Sequence, residues 1–280
     1  MMQRKKLVSV CLVFCLTFLT IFAEDTGRIP FVKVASAQDK VCSFDGLTFQ
    51  VATNKTGEEV GWAVVEYDKT LSGSVQMYPT VSSGTYVDFP VVLFADDLFS
   101  ECTINSADIR LSDDFLYLGE GVFYETIVQN SLAIRDFHGE IWEYAFAKIK
   151  VGGDLEIKGS SIGKIYDYAF SGADITGKLS IIGSSGGIEE IGPYAFRNAK
   201  MDELVLSDDI RKIDAHAFEG VGLKNFAFGN KISYIGSAVF ENCNALNTIT
   251  LPESVPNALV VEADAFPNRE GLTFVVPKEL

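Results

Sequence analysis

The fold of this chain is decided by the segment Ile165–Phe196, which reads IYDYAFSGADITGKLSIIGSSGGIEEIGPYAF. The segment begins and ends with one signature: an apolar residue, three variable residues, a small residue and then phenylalanine. Between the two copies lies an apolar-x-apolar triplet, Leu179-Ser180-Ile181. Because successive side chains of a β-strand point to opposite faces, this triplet predicts a short strand with one buried face.

The signature recurs along most of the chain. Its eight copies end at phenylalanines 22 to 26 residues apart: Phe99, Phe123, Phe146, Phe170, Phe196, Phe218, Phe240 and Phe266. Triplets follow the copies at 109–111, 132–134, 155–157, 179–181, 204–206, 226–228, 249–251 and 274–276. Two features that keep one register eight times indicate a β-rich solenoid, in which each coil packs on the next. We therefore predict about eight coils, one parallel sheet, and a continuous stack of Phe170, Phe196 and Phe218.

The later coils resemble a known repeat family. The motifs that carry the resemblance are Ile235-Gly236, Val239-Phe240-x-x-Cys243 and Leu246-x-x-Ile249-x-Leu251-Pro252. They are similar to the BspA-type, or treponemal, leucine-rich repeats of bacterial surface proteins, and the resemblance extends from Val41 to Leu280. It implies a curved leucine-rich-repeat solenoid used for adhesion to host proteins or for protein–protein contact, without catalytic residues.

The N-terminus carries the pattern of an export signal. A basic cluster, Arg4-Lys5-Lys6, precedes an uncharged apolar run from Leu7 to Ala23, which predicts a secretory signal peptide at residues 1–23. At 17 residues the run is also at the lower limit for crossing a bilayer, so an uncleaved anchor is the rival interpretation. Cleavage after Ala23 is favoured, with Ala37 as the alternative. We expect a periplasmic, cell-surface or secreted protein whose mature chain does not insert into a membrane.

The segment after the leader is the part of the chain that looks least like a repeat. Residues 24–90 predict an N-terminal β cap and a first strand, and residues 91–280 predict the repeat solenoid. Within the cap, Asp45–Phe49 and Glu59–Tyr67 resemble the hairpin-type region that opens such arrays, and Ser74–Val81 resembles the first repeat strand. An enzyme or carrier site, if the chain has one, is expected in this cap.

The charge balance excludes some classes of partner. The formal net charge is −15 at pH 7, and removal of the three basic leader residues leaves −18. Because each neutralised phosphate needs a lysine or arginine, this balance opposes binding to nucleic acid, and it also opposes adsorption to anionic membranes. Solubility is the simplest role of such a charge.

Few side chains are candidates for chemistry. The chain has only two histidines, and His216 occupies the variable position where neighbouring coils carry Tyr168 and Tyr194. This position predicts a stacked, partly exposed surface side chain, while His138 has no cysteine or serine partner at motif spacing. Catalysis requires a converging nucleophile, base and orienting group. We therefore predict no enzyme activity, no cofactor and no metal site.

The three cysteines of the mature chain are Cys42, Cys102 and Cys243. An odd number without metal-like spacing predicts neither a disulfide framework nor a zinc site, and pairing of Cys42 stays open. Cys102 and Cys243 each follow a signature phenylalanine by three residues, which favours small core side chains without chemistry.

Adjacent carboxylates form a further set of candidates. They occur at Asp96-Asp97, Asp113-Asp114, Glu189-Glu190 and Asp208-Asp209. Calcium ligation or glycosidase chemistry is one interpretation, but these pairs lack the alternating oxygen ligands around a glycine that calcium loops use. A structural role in turns is favoured, because an aspartate side chain can bond to its own backbone.

The outward-facing triplet residues provide the best candidate for binding. The middle residues of the triplets are Arg110, Ala133, Glu156, Ser180, Val205, Ala227, Thr250 and Val275. The row changes from charged to small and apolar, which favours a partner site in its second half, although small residues also suit the crowded inside of a curve. The predicted binding residues are Ile182, Val205, Ala227, Thr250 and Val275.

The resulting functional hypothesis is an exported, non-enzymatic protein-binding module. Its partner would be a host extracellular protein or a bacterial envelope protein, bound through the concave sheet. The alternative is a small-molecule or metal carrier, or an enzyme, with its site in the cap.

Overall fold

The computed structural model describes residues 33–34, 41–44, 46–53, 56, 58–70, 73–83, 86–252, 259–267 and 271–276. The predicted signal peptide and both cleavage positions, Ala23 and Ala37, lie outside these residues. The regular secondary structure within the described ranges is β-strand throughout. No helix among them is long and apolar enough to span a bilayer.

The first strands belong to the region before the repeats. They are β1 (Lys33–Val34), β2 (Val41–Phe44), β3 (Leu47–Thr53), β4 (Glu59–Tyr67), β5 (Val75–Met77), β6 (Thr80–Ser83) and β7 (Tyr86–Phe94). Strands β2, β3 and β4 pair antiparallel, and β4 then pairs parallel with β7. Their core contains Leu47, Phe49 and Trp62, whose indole N–H donates to the carbonyl of Val81 at 2.9 Å. The ring of Tyr67 in β4 lies 5.1 Å from the ring of Phe99, the first signature phenylalanine, so the cap packs onto the first coil.

The remaining strands come from the repeats. They are β8 (Thr103–Ile104), β9 (Ala107–Arg110), β10 (Tyr117–Leu118), β11 (Ile127–Val128), β12 (Leu132–Ile141), β13 (Lys150–Val151), β14 (Leu155–Ile165), β15 (Asp174–Ile175), β16 (Lys178–Gly186), β17 (Glu190–Ile191), β18 (Glu203–Leu206), β19 (Lys212–Ile213), β20 (Asn225–Ala227), β21 (Tyr234–Ile235), β22 (Thr248–Thr250), β23 (Val260–Val261) and β24 (Thr273–Val275).

Equivalent strands of successive coils pair parallel, as a solenoid requires. In the triplet ladder, Leu132 pairs with Leu155, which pairs in turn with Leu179. Leu155 and Ile157 are fully buried, whereas Glu156 between them is partly exposed. The predicted leucine-rich-repeat solenoid and the alternation of its central triplets are therefore confirmed.

A column of phenylalanine rings runs through the core. The eight signature rings stack one on the next at centroid distances of 4.9 to 5.6 Å, with ring planes within 12° of parallel. This distance is close to the spacing of about 4.8 Å between paired strands, so one ring per coil fills the column without gaps. The predicted stack of Phe170, Phe196 and Phe218 is confirmed.

The sheet is more divided than the single sheet that the triplets predict. A separate four-stranded ladder joins β8, β11, β13 and β15, and the signature strands β17, β19, β21 and β23 extend the main sheet from β14. The triplet ladder itself is interrupted, because β20, β22 and β24 form their own sheet and β18 does not pair with β20. Phe226 and Phe228 stand here in place of leucine or isoleucine, and Phe226 contacts Phe218 at 4.9 Å. We attribute the missing pairing between β18 and β20 to the larger volume of these two rings.

Candidate functional site

The structure divides the predicted binding residues into two groups. Ala227, Thr250 and Val275 are direct neighbours across β20, β22 and β24. Val205 and Ile182 lie on the other side of the break, where Val205 pairs with Ser180. The first three residues therefore form one continuous strip, and the other two flank it.

Exposure varies along this strip and is lowest at its middle residue. Ala227 is exposed and Thr250 is half-buried, while Val275 is 42% exposed. The flanking Phe274 and Val276 are 39% and 52% exposed, although as outer triplet residues they were predicted to be buried. That prediction is wrong for this coil, because within the described residues no further coil packs on β24. Both side chains lie on the opposite side of β24 from Val275, and Phe274 packs against Phe266 at 5.4 Å, so their exposure does not belong to the strip.

The first half of the same face is charged, and four of its charged side chains form a network of ion pairs. Arg135 Nε lies 2.9 Å from Asp108 Oδ1, and its Nη1 lies 3.1 Å from Glu156 Oε2. Lys158 Nζ lies 2.5 Å from the other oxygen of Glu156. These ion pairs join three successive coils, and the two positive and two negative charges of the network balance one another.

A second candidate surface lies on the signature side of the coils. Tyr144, Tyr168, Tyr194 and His216 stack in a row at centroid distances of 5.3, 5.0 and 4.9 Å. Each of the four has a φ between 57° and 59°, in the left-handed region that non-glycine residues rarely adopt. The same backbone turn in each coil thus presents these rings in register. The prediction of a stacked, partly exposed His216 is confirmed, with its side chain 27% exposed.

Two glutamates converge on His216. Its Nδ1 lies 3.3 Å from Glu219 Oε2 and 3.3 Å from Glu241 Oε2. Glu219 is mostly buried, and its second oxygen is 3.1 Å from Arg197 Nη2. Sequence reasoning missed this cluster. The available signal was that Glu219 and Glu241 directly follow Phe218 and Phe240, so they occupy equivalent positions in stacked coils.

Two of the aspartates in the carboxylate pairs connect neighbouring coils. Asp96 Oδ1 accepts hydrogen bonds from the Tyr117 hydroxyl and the Glu120 amide, both at 2.8 Å. Burial, followed by the charge of Asp96, raises the pKa of Tyr117. Asp209 accepts from the amide of Gly187 at 2.8 Å, and the hydrogen bond from Lys231 is the main reason that its pKa is lowered. The structural role holds, but these bonds reach the adjacent coil and not the local backbone that we predicted.

Cys102 and Cys243 lie in the core, as predicted. Cys102 and Cys243 are buried free thiols, and the Cys243 thiol donates to the carbonyl of Phe218 at 3.0 Å. Burial raises the pKa of Cys243 to about 11 and also raises the pKa of Cys102. Both thiols are therefore protonated at neutral pH.

Two surface depressions on the described residues lie on the coils and not in the cap. One, of about 220 Å³, is lined by Asp96, Asp97, Glu120, Gly121, Tyr124 and Tyr144. The other, of about 350 Å³, is lined by Asp113, Arg135, Asp136, Lys158, Gly159, Ser160 and Ser184. His138 contributes to neither, and its Nδ1 is 3.4 Å from the carbonyl of Asp136. Both depressions are polar and shallow.

Coils of this kind, with stacked signatures and one outward-facing strip, define a leucine-rich-repeat solenoid. Residues 92–184 and 165–279 match the family described as BspA type Leucine rich repeat region, in 6 copies. The chain belongs to this family, as the resemblance of its signatures implied.

Comparison with solved structures agrees with the fold. A leucine rich cell surface protein from Faecalibacterium prausnitzii A2-165 is 19% identical, with a TM-score of 0.51, over 78% of this chain and 56% of that protein. The chain therefore spans little more than half the length of that protein. The pneumococcal vaccine antigen PcpA is 13% identical, with a TM-score of 0.32, over 85% of this chain and 93% of the antigen. No curated protein matches the sequence.

Proposed function

We propose that this chain is an exported, non-enzymatic module that binds a protein of the host or of the bacterial envelope. Its binding site is the strip of Ala227, Thr250 and Val275, flanked by Val205 and Ile182. The leader pattern supports export, and the cell-surface protein with the same fold supports a surface location. The family supports an interaction role, because solenoids of stacked repeats present extended surfaces to partners.

The observation that carries this proposal is the exposed apolar strip beside a polar row. Ala227, Thr250 and Val275 adjoin one another across three strands on the outward side of the triplets. The preceding residues of the same strands, Asn225, Thr248 and Thr273, form a second row of polar side chains. An apolar centre with a polar rim is the usual arrangement of a protein interface.

The charged first half of the triplet face is less suited to partner binding, which supports placing the binding site in the second half. Arg135 is already paired with Asp108 and Glu156, so a partner would have to break these ion pairs to use their charges. Desolvating such groups costs free energy that new contacts must first offset. The uncharged second half offers contact without that cost.

The test is a charge reversal of the strip with a matched control. The double variant Val205→Glu and Ala227→Glu places two carboxylates on the outward side, where no core cavity forms. The control double variant, Ile127→Glu and Ala245→Glu, likewise changes one β-branched residue and one alanine, at exposed positions outside the triplets. Both proteins are checked by circular dichroism and then used in pull-downs against extracellular-matrix and envelope proteins.

We expect the strip variant to bind the captured partner at least 10-fold more weakly, since one buried, unpaired charge costs more than about 1.4 kcal/mol. The control variant should bind like the unmodified protein. Equal binding by the strip variant, or loss of binding in the control alone, would place the interface elsewhere.

A further inference from the structure

The cluster of His216, Glu219 and Glu241 has the composition and spacing of a metal site. One ligand atom from each residue lies within 4.8 Å of the other two. His216 Nδ1 is shielded from solvent and has no hydrogen-bond partner, although it lies 3.3 Å from an oxygen of each glutamate. A buried ring nitrogen left without a hydrogen bond is costly unless another group binds it.

The two distances from His216 Nδ1 to the glutamates agree with an ion shared between the three groups. Zinc binds histidine nitrogen and carboxylate oxygen at about 2.0–2.2 Å in tetrahedral geometry, which separates neighbouring ligand atoms by about 3.3–3.5 Å. The two nitrogen–oxygen distances at His216 are at the lower end of this range. The nitrogen ligand also favours zinc over calcium and magnesium, which prefer sites made of oxygen alone.

The ligands are held by their surroundings. The His216 ring stacks on Tyr194 at 4.9 Å, and its backbone N–H donates to the carbonyl of Ser237 at 2.9 Å. Arg197 binds one oxygen of Glu219 at 3.1 Å and leaves the other directed at His216, while its guanidinium lies over Tyr194. Partners that fix the orientation of a ligand in this way are typical of metal sites.

The position of the cluster suggests what a bound ion would do. His216 and Glu219 belong to the coil of β18 and β19, and Glu241 belongs to the coil of β20 and β21. These are the two coils whose triplet strands do not pair. An ion held by both coils would therefore connect them at the junction where strand pairing is incomplete.

We infer that His216, Glu219 and Glu241 bind one zinc ion, which joins the coil of β18 and β19 to the next coil. Neutral His216 supplies Nδ1, each glutamate supplies one oxygen, and the partly exposed side of the site leaves the fourth position to water. The ion acts as a structural link, independently of the protein-binding strip on the triplet face.

The experiment is a zinc titration by calorimetry of tag-free protein that was first treated with EDTA and dialysed. We expect one zinc ion per chain and a higher melting temperature with zinc than with EDTA, since a ligand that binds only the folded state stabilises it. Calcium added at the same concentration should produce neither effect.

The ligand set is tested by four single variants. The variants His216→Asn and Glu241→Gln should each weaken zinc binding at least 10-fold. Both should fold, because asparagine tolerates the left-handed backbone region and glutamine has the shape of glutamate. The control variants His138→Ala and Cys243→Ser remove other possible zinc ligands and should bind like the unmodified protein.

Several results would overturn the inference. If the unmodified protein binds no zinc at a 1:1 ratio in the titration, the cluster is explained by an ion pair between protonated His216 and the glutamates. Unchanged affinity in the folded Glu241→Gln variant, or lost affinity in Cys243→Ser, would show that zinc binds through other groups.

Discussion

Two groups of coils are built from the same signature and triplet, the first between Leu132 and Ile191 and the second between Glu203 and Val275. They differ in the length of their strands. In the first group β12, β14 and β16 are 10, 11 and 9 residues long, and β12 and β14 each run from the triplet into the next signature. In the second group β18 has 4 residues, and β20, β22 and β24 have 3 each. The same sequence signature is therefore compatible with very different amounts of strand pairing.

Burial follows the same division. Leu155, Ile157 and Ile165 are fully buried in the first group, whereas Leu204 and Leu206 are only partly buried and Phe274 is exposed. In a solenoid each coil contributes its own stability and the stability of its contacts with its neighbours. We therefore expect the later coils to open at a lower free energy than the central ones, and binding surfaces are often found in such regions.

The largest expected difference concerns the phenylalanine column. Phe196→Ala removes a ring stacked between Phe170 and Phe218, and it should lower the free energy of unfolding by about 3–5 kcal/mol, the usual range for a buried phenylalanine. Phe266→Ala should cost less than about 2 kcal/mol, because the last described coil can open without unfolding the coils before it. Urea denaturation followed by circular dichroism measures both losses. A loss below about 1 kcal/mol for Phe196→Ala would contradict the continuous column.

Thiol labelling compares the opening of the later coils, which contain Cys243, with that of the coil of the first signature, which contains Cys102. Cys102 and Cys243 occupy equivalent positions, and burial keeps the pKa of both thiols high, so a thiol reagent reacts only after a coil opens. In a Cys42→Ser background at pH 8, we expect Cys243 to be labelled at least 10-fold faster than Cys102. Equal rates, read by peptide mass spectrometry, would show that the two coils open together.

The smallest expected change in the free energy of unfolding is that caused by disrupting the ion pairs of Arg135. Arg135→Met removes both ion pairs of Arg135 but keeps most of its apolar stem. Since the arginine side chain is 39% exposed, the change should cost less than about 1 kcal/mol, and less still at high salt. Urea melts at two salt concentrations provide the measurement. A larger, salt-independent loss would mean that these ion pairs contribute to the stability of the central coils as much as their apolar packing does.

The elements that sequence could predict are those set by local repetition. The signature phenylalanines predict their own column because one ring recurs in each coil, and the position of His216 beside Tyr194 follows from the same register. The alternation at Leu155-Glu156-Ile157 is likewise a property of one strand. In these cases a single coil contains all the information that is needed.

The missed features depend on contacts between coils. The periodicity of Phe226 and Phe228 equals that of the other triplets, so only the size of their rings against Phe218 and Phe240 reveals the break in the ladder. The exposure of Phe274 depends on what packs against its coil. The approach of Glu241 to His216 depends on which residues of two coils lie side by side, 25 positions apart in the chain.

The break between β18 and β20 has a mechanical consequence. When the two ends of a solenoid are pulled apart along its axis, all junctions carry the same tension, and the weakest one yields first. The junction after β18 lacks the triplet ladder. It is held by the pairing of β19 with β21, by backbone hydrogen bonds between the signature turns, such as that from Phe218 N–H to the Val239 carbonyl at 3.0 Å, and by the contact of Phe218 with Phe240 at 5.5 Å. Under load the molecule should therefore extend first at this point, while the long strands β12, β14 and β16 stay intact.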